Sequence, residues 1–200
     1  MKNILFFFGL IVMGLFMGGI SALWMSGLIG PRKGAGLNAI NVDNWVSDWS
    51  IGSSAADGYT RARVARFGLL GLAKSEAVYF IRSVDEDGAP LRGECSYSLR
   101  GGSQDARWWS ITLYDENSRL PMNTDGALSI DATQVGDDEN WRAAISPWPQ
   151  ASGNWLSSRG AETFDLTLRL YQPSQAILEN PEATLNAPTV RKIKCNEAAS

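Results

Sequence analysis

Two segments of the chain, WWSITLYD at 108–115 and FDLTLRLY at 164–171, alternate apolar side chains with side chains that can bind a ligand. Successive residues of a β-strand point to opposite faces, so each segment predicts one apolar and one polar face. The polar faces carry four large side chains, called the aromatic face from here on: Trp108, Tyr114, Arg169 and Tyr171. If the two strands are neighbours, this surface is suited to stacking on a sugar ring or holding an anionic group.

The aromatic face is also open to a structural interpretation. Arginine packed on aromatic rings often serves only to stabilise a surface. An amphipathic helix predicted over residues 57–72 would then cover the four side chains. The two interpretations differ in one observable, because a binding surface must be reachable by solvent.

The chain contains no histidine, which restricts the chemistry available to it. Ser-His-Asp triads, Cys-His pairs and histidine-based zinc sites are excluded. A hydrolase acting on carbohydrate would need paired carboxylates, for which Asp115, Glu162 and Asp165 are candidates. The acidic runs at 85–88 and 137–139 lack the ligand number and spacing of a calcium loop, so neither a metal site nor a cofactor is predicted.

Asn154-Trp155 lies in a loop rich in glycine and serine and raises the question of a second site. Asparagine tolerates turn geometry and tryptophan fills the end of a sandwich, so this pair predicts a structural corner. Ser157 and Ser158 follow it without an identifiable base.

Most of the chain beyond residue 76 predicts strands. Period-two patterns separated by turn signals indicate seven of them. They span residues 77–84, 95–100, 108–114, 128–132, 141–146, 164–171 and 189–195. Many short strands with turn punctuation predict a mainly β fold, specifically an antiparallel β-sandwich of jelly-roll type. The amphipathic helix at 57–72, with Asp57 as its N-cap, completes a domain predicted over 57–200.

Residues 1–30 predict a transmembrane anchor. Residues 4–29 carry no charge, and about 20 apolar residues suffice to cross a bilayer. The alternative is a cleaved signal peptide, which is disfavoured because apolar residues continue well beyond Ala22. One side of this segment has small residues every four positions, a spacing that lets a second copy or a partner helix approach closely. They are Gly14, Gly18, Ala22 and Ser26.

Residues 31–56 predict a juxtamembrane linker. Trp45 and Trp49, four positions apart, fit either a short helix at the membrane surface or side chains packed on the domain. Beyond residue 30 the chain has 17 basic and 21 acidic residues, a net charge of −4. This balance gives no electrostatic case for nucleic acid.

The two cysteines bear on the cellular compartment in which the domain folds. Cys95 and Cys195 both lie on apolar faces of predicted strands, so they could meet in one core as a disulfide, although two separate buried thiols fit the pattern as well. A disulfide would favour an oxidising compartment, that is, an exported domain. The prediction is a single-pass protein of a bacterial inner membrane with its C-terminal domain in the periplasm.

A series of segments between Asp57 and Pro173 resembles the domain of unknown function 1214 family. The segments are DGYTRARVARFGLLGLAKSEAVYF, DGAPLRGECSYSL, ARWWSITLYD, NWL and FDLTLRLYQP. The resemblance implies a jelly-roll sandwich, and short bacterial members of the family have one N-terminal membrane segment. Members often read NWLP, whereas Ser157 follows Leu156 here, which makes this loop less rigid. The family implies no activity.

These features together predict a membrane-anchored envelope module that binds or assembles with a partner, with cell-envelope glycan as its ligand. The alternative is a histidine-free hydrolase of envelope carbohydrate that uses two carboxylates. The expected partners are membrane lipid, envelope glycan, and a second copy or a partner helix along the small-residue ridge.

Overall fold

The computed structural model describes residues 2–26, 29, 38–66, 71–136, 138–150 and 153–195. The helices within these ranges are α1 (Lys2–Met25), α2 (Gly58–Arg66), α3 (Ala132–Val135), α4 (Gln175–Glu179) and α5 (Pro181–Thr184). The strands are β1 (Ala39–Val42), β2 (Trp45–Asp48), β3 (Ala77–Arg82), β4 (Cys95–Arg100), β5 (Ala106–Asp115), β6 (Ser129–Asp131), β7 (Arg142–Ser146), β8 (Asn154–Ser157), β9 (Phe164–Pro173) and β10 (Thr189–Cys195).

In the described part of the chain, the strands form two sheets. The larger has the order β1-β2-β3-β9-β5-β6 and the smaller β10-β4-β7-β8. The prediction of a mainly β fold is therefore confirmed. The smaller sheet is mixed, since β7 and β8 run parallel. The prediction of a wholly antiparallel arrangement is wrong at this pair, and the jelly-roll topology stays a prediction.

The apolar faces of the two sheets pack on each other and form the core. Trp109 of β5 stacks on Trp141, with ring centroids 5.0 Å apart. Tyr97 of β4 meets Phe164 of β9 edge to face at 5.7 Å. Gly101 lies under the Trp141 ring, where a Cβ would come within 2.3 Å of a ring carbon, so any larger residue there would displace the indole. The sheet that carries the aromatic face on its outer side therefore packs against an aromatic core on its inner side.

All seven predicted strands are present, with ends shifted by at most two residues. Three more strands were not predicted. β1 and β2 lie inside the segment predicted to be a linker, and they extend the larger sheet next to β3. β8 contains Asn154 and Trp155, which were assigned to a corner. α2 begins where predicted, with Asp57 accepting from the backbone N of Thr60 at 2.7 Å; residues 67–70 of the predicted helix lie outside the described residues.

The β1–β2 hairpin is integrated into the domain by buried polar contacts. The Trp45 side chain is fully buried, and its ring nitrogen donates to the carbonyl of Pro188 at 2.7 Å. Arg82 of β3, only 2% exposed, donates to the carbonyls of Asp43 and Pro188. Burial lowers the pKa of this guanidinium. Residues 39–48 form the β1–β2 hairpin and no helix at the membrane surface. The interpretation in which the tryptophans pack on the domain is confirmed for both, because Trp45 is buried and Trp49 packs against the core with its ring centroid 6.1 Å from that of Phe80.

α1 is long and apolar enough to cross a membrane, and none of its most apolar stretch is buried in the protein. Around Gly14 and Gly18 no described atom lies within 4 Å of a Cβ built on the backbone. The ridge is therefore open at Gly14 and Gly18, whereas Ala22 and Ser26 are partly buried. Its association with another helix stays a prediction.

Cys95 and Cys195 are joined by a disulfide. They are directly opposite each other on β4 and the neighbouring strand β10. The bond closes a loop between positions 100 residues apart. It holds the last described strand against the middle of the smaller sheet.

Candidate functional site

The four residues of the aromatic face lie together on the larger sheet. β5 and β9 are antiparallel neighbours, and their register places Trp108 opposite Tyr171 and Ser110 opposite Arg169. Since Tyr114 follows Trp108 by six residues, it shares this face of the strand. All four side chains are half-buried. They are therefore partly reachable by solvent.

Trp108 and Tyr171 form a fixed aromatic pair at one end of the face. Their ring centroids are 5.3 Å apart and the planes are inclined by 52°. The ring nitrogen of Trp108 donates to the hydroxyl of Thr133 in α3 at 3.0 Å. Thr133 is itself held by a capping box on Asp131, which begins this short helix. The indole therefore has a defined orientation beside Tyr171.

Arg169 occupies the middle of the face and is oriented by two hydroxyl groups. One terminal nitrogen donates to Thr112 at 3.0 Å, and the other donates to Tyr114 at 2.5 Å. The guanidinium carbon lies 5.4 Å from the centre of the Tyr114 ring. These contacts hold the cation in place while the side chain remains partly exposed, which is the arrangement needed to meet an anionic or hydroxyl-rich ligand.

Buried side chains lie between those of the aromatic face, on the same side of the sheet. Ser110 and Thr167 are 7% and 4% exposed. Tyr79 of β3 is directly opposite Arg169 in register and is also buried. Burial, and to a smaller extent Tyr171, raise the pKa of Tyr79, whereas Arg169 opposes the shift. The sequence analysis did not include Tyr79 in the candidate site. Its position between the apolar residues Val78 and Phe80 predicted that its side chain points to the outer face of the sheet.

α2 makes its described polar contacts elsewhere. Arg63 pairs with Asp48 at 2.6 Å, and Thr60 lies 3.3 Å from the hydroxyl of Ser50. These partners belong to the end of β2 and the turn after it, at the far side of β3 from β9. The helix predicted as a cover for the aromatic face thus packs beside the β1–β2 hairpin.

The other candidate residues have local roles. Trp155 donates to the carbonyl of Ser146 at 3.1 Å and Asn154 to that of Arg142 at 3.3 Å, so the pair attaches β8 to β7. The hydroxyl of Ser158 donates to Gly93. Asp115 accepts from the backbone of Asn117 and Arg119 in a turn.

Two of the three carboxylates proposed for a hydrolase, Asp115 and Asp165, do not share one surface. Asp165 is opposite Tyr114 and Asp115 is opposite Phe164, so the two side chains project from opposite faces of the sheet. Glu162 is exposed, in the loop before β9. In the acidic run at 85–88, Asp85 is buried and accepts from two backbone nitrogens of its own turn.

A cluster that the sequence did not reveal joins Asp125, Ser157 and Arg159. The Ser157 hydroxyl donates to Asp125 at 2.6 Å, and Arg159 binds the same carboxylate through two nitrogens. The partners are 32 and 34 residues apart in sequence, and no local pattern marks them. The hydrogen bonds from Ser157 and Arg159 lower the pKa of Asp125 below 3.8.

This lowered pKa predicts a specific pH dependence. Because the fold favours the ionised form, Asp125 stabilises the protein above the pKa of the unfolded state, about 3.9, and this contribution disappears as pH falls through the folded pKa. Asp125→Asn is expected to lower the melting midpoint at pH 7, by an amount that becomes smaller as the pH falls through the folded pKa of Asp125. Thermal melts from neutral to acidic pH test it, with exposed Glu139→Gln as control; a difference that does not diminish as the pH falls would contradict it.

Comparison with known proteins places the chain in a family. The family model described as "Protein of unknown function (DUF1214)" matches residues 76–175, half of the chain. This range runs from β3 to β9 and includes the whole aromatic face. The chain belongs to the DUF1214 family. No curated protein matches this DUF1214 chain.

Two crystal structures resemble this DUF1214 protein. One is the VPA0106 protein from Vibrio parahaemolyticus, with 22% identity and a TM-score of 0.55 over 68% of this chain and 35% of that one. The other is an uncharacterized protein from Burkholderia cenocepacia, with 14% identity and a TM-score of 0.45 over 59% of this chain and 30% of that one. The chain spans about a third of the length of each. The similarity to the Vibrio parahaemolyticus protein supports the fold of this chain and nothing beyond it.

Proposed function

We propose that this DUF1214 protein is a single-pass protein of the bacterial inner membrane whose periplasmic β domain binds cell-envelope glycan through the aromatic face. α1 supports the anchor, since it is long and apolar enough to cross a bilayer. The Cys95–Cys195 disulfide supports an oxidising compartment, because disulfides persist outside the cytoplasm. Together these two features favour an anchor in the inner membrane and a domain on its outer side.

One observation carries the glycan proposal. Trp108 and Tyr171 are cross-strand neighbours with ring centroids 5.3 Å apart on a partly exposed face, and Arg169 on the same face holds its guanidinium at Thr112 and Tyr114. Aromatic rings offer a flat apolar surface for the C–H face of a sugar. Arginine and the neighbouring hydroxyls offer donors and acceptors for the sugar's hydroxyl, amide or carboxylate groups.

The proposal extends to two finer features of the molecule. The two packed sheets are assigned to the jelly-roll type on the strength of the family resemblance. The ridge of small residues on α1 is assigned to a second copy or a partner helix, because close helix approach in lipid favours small side chains. A binding module of this kind would function by holding an envelope assembly at the membrane.

Co-sedimentation with purified peptidoglycan sacculi tests the glycan proposal. The full chain, solubilised in detergent, is expected to pellet with the sacculi, whereas Trp108→Ala is expected to remain in solution. The reason is that stacking on the ring supplies much of the contact with a sugar.

Trp148→Ala is the matched control for this assay. Trp148 is 58% exposed and lies in the turn after β7, in the other sheet. Its loss should leave co-sedimentation unchanged. Equal pelleting of the two variants, or no pelleting of the wild type, would contradict the proposal.

A further inference from the structure

A cavity of about 420 Å³ lies between α2 and two loops, at 51–56 and 71–73. Its wall is mainly apolar, with contributions from Ile51, Ala56, Val64, Ala65 and Ala73. Arg61 is the charged residue among those that line it. The volume falls within the range of about 300–1,000 Å³ that small-molecule pockets occupy. An apolar space with one cation at its wall suits a ligand with a hydrocarbon part and an anionic group.

The position of the cavity is set by a contact between α2 and the end of α1. Arg63 donates to the carbonyl of Met25, the last residue of α1, at 2.6 Å. The same guanidinium is paired with buried Asp48 at 2.6 Å. Arg63 therefore ties the helix that forms one cavity wall to the end of the membrane-spanning segment. If α1 crosses a bilayer, this wall lies near the lipid headgroups.

The distribution of charge supports the same placement. Residues 58–74 contain four basic residues and no acidic one, whereas residues 76–200 contain 11 basic and 18 acidic residues. Juxtamembrane basic segments are attracted to anionic lipid surfaces. This cation-rich segment carries Arg61 and Arg63, and Arg63 contacts the end of α1. The acidic remainder of the domain has no comparable attraction to such a surface.

We propose that this cavity binds an anionic phospholipid of the surrounding bilayer, with an acyl chain against Val64 and Ala65 and its phosphate at Arg61. The inference rests on the proposed membrane attachment and is independent of the glycan ligand. Arg61 is exposed and can meet a phosphate, and the partly buried Ile51, Ala56 and Val64 offer apolar surface to an acyl chain. A lipid held here would fix the orientation of the domain on the membrane.

The test uses the delipidated full chain in detergent, titrated with phosphatidylglycerol or with phosphatidylcholine of the same acyl chains. Native mass spectrometry then gives the fraction of protein that carries one lipid. Wild-type protein is expected to bind phosphatidylglycerol about tenfold more tightly than phosphatidylcholine. Arg61→Gln is expected to remove this preference, and as an exposed polar replacement it leaves the packing of α2 intact.

Two tryptophan substitutions on one helix test the apolar part. Ala65→Trp fills the cavity and is expected to abolish binding of both lipids. Ala62→Trp is the control, because Ala62 lies on the same helix and is not among the residues that line the cavity. Binding by Ala65→Trp equal to that by Ala62→Trp would overturn the proposal, as would equal affinity of wild type for the two lipids. Displacement of phosphatidylglycerol by palmitate at lower concentration would also overturn it, in favour of a free fatty acid.

The lipid site and the proposed function fail in distinguishable ways. If the lipid site is wrong, Ala65→Trp binds lipid normally while the protein still co-sediments with sacculi. If the glycan proposal is wrong, co-sedimentation is absent while the preference for phosphatidylglycerol remains. If the anchor is wrong, alkaline carbonate releases the protein from membranes irrespective of either ligand.

Discussion

Replacing Cys95 and Cys195 together by alanine is expected to lower the free energy of unfolding by about 4–5 kcal/mol, the value for a loop of about 100 residues in the chain-entropy model. The physical reason is that the bond joins positions 100 residues apart and so restricts about half of the unfolded chain. Urea denaturation of oxidised wild type and the double variant measures this difference.

The reduced wild-type protein is the control for this comparison, since it lacks the bond but keeps both side chains. It should resemble the double variant. Non-reducing peptide mapping of protein taken from cells should recover the two cysteine peptides joined. Two freely labelled thiols in denatured, non-reduced protein would contradict both the disulfide and the argument for an oxidising compartment.

The second large effect is expected at Trp109, on the core side of β5. Trp109 is 4% exposed and stacks on Trp141. Trp109→Ala is expected to destabilise the fold by about 3–5 kcal/mol, because truncation of a buried tryptophan loses apolar contacts and leaves a cavity. Denaturant unfolding of the full chain in detergent measures the change.

Trp108→Ala is the adjacent comparison for this measurement. Trp108 is half-buried and loses a hydrogen bond to Thr133, so a cost of about 1–2 kcal/mol is expected. A much larger loss of unfolding free energy for Trp109→Ala than for Trp108→Ala would show that Trp109 packs in the core and Trp108 lies at the surface. Equal and large losses at both positions would contradict the open aromatic face.

The sequence predicts the aromatic face well because local alternation determines it. Every second residue is apolar from Trp109 to Leu113 in β5 and from Phe164 to Leu170 in β9, so the side chains that share a face follow once the strands are neighbours. Local alternation does not determine which strands are neighbours or what covers their outer face. Both depend on distant parts of the chain. α2, predicted as a cover, packs beside the β1–β2 hairpin instead.

The missed strands have two different causes. Asp43 and Asn44 form the two-residue turn between β1 and β2, both with positive φ, which is a hairpin signal that the glycine- and serine-rich surroundings obscured. β8 has only four residues and depends on parallel pairing with β7 and on a bond from the backbone of Ser157 to Ala127. No local pattern predicts such long-range pairing.

The proposed function requires that the aromatic face binds envelope glycan. Calorimetric titration of the full chain in detergent with soluble peptidoglycan fragments measures this binding directly. Saturable binding is expected for wild type and for Trp148→Ala, and about tenfold weaker binding for Trp108→Ala, since loss of one stacking ring is worth about that factor. Absence of binding by wild type, or equal affinity of Trp108→Ala and wild type, would contradict it.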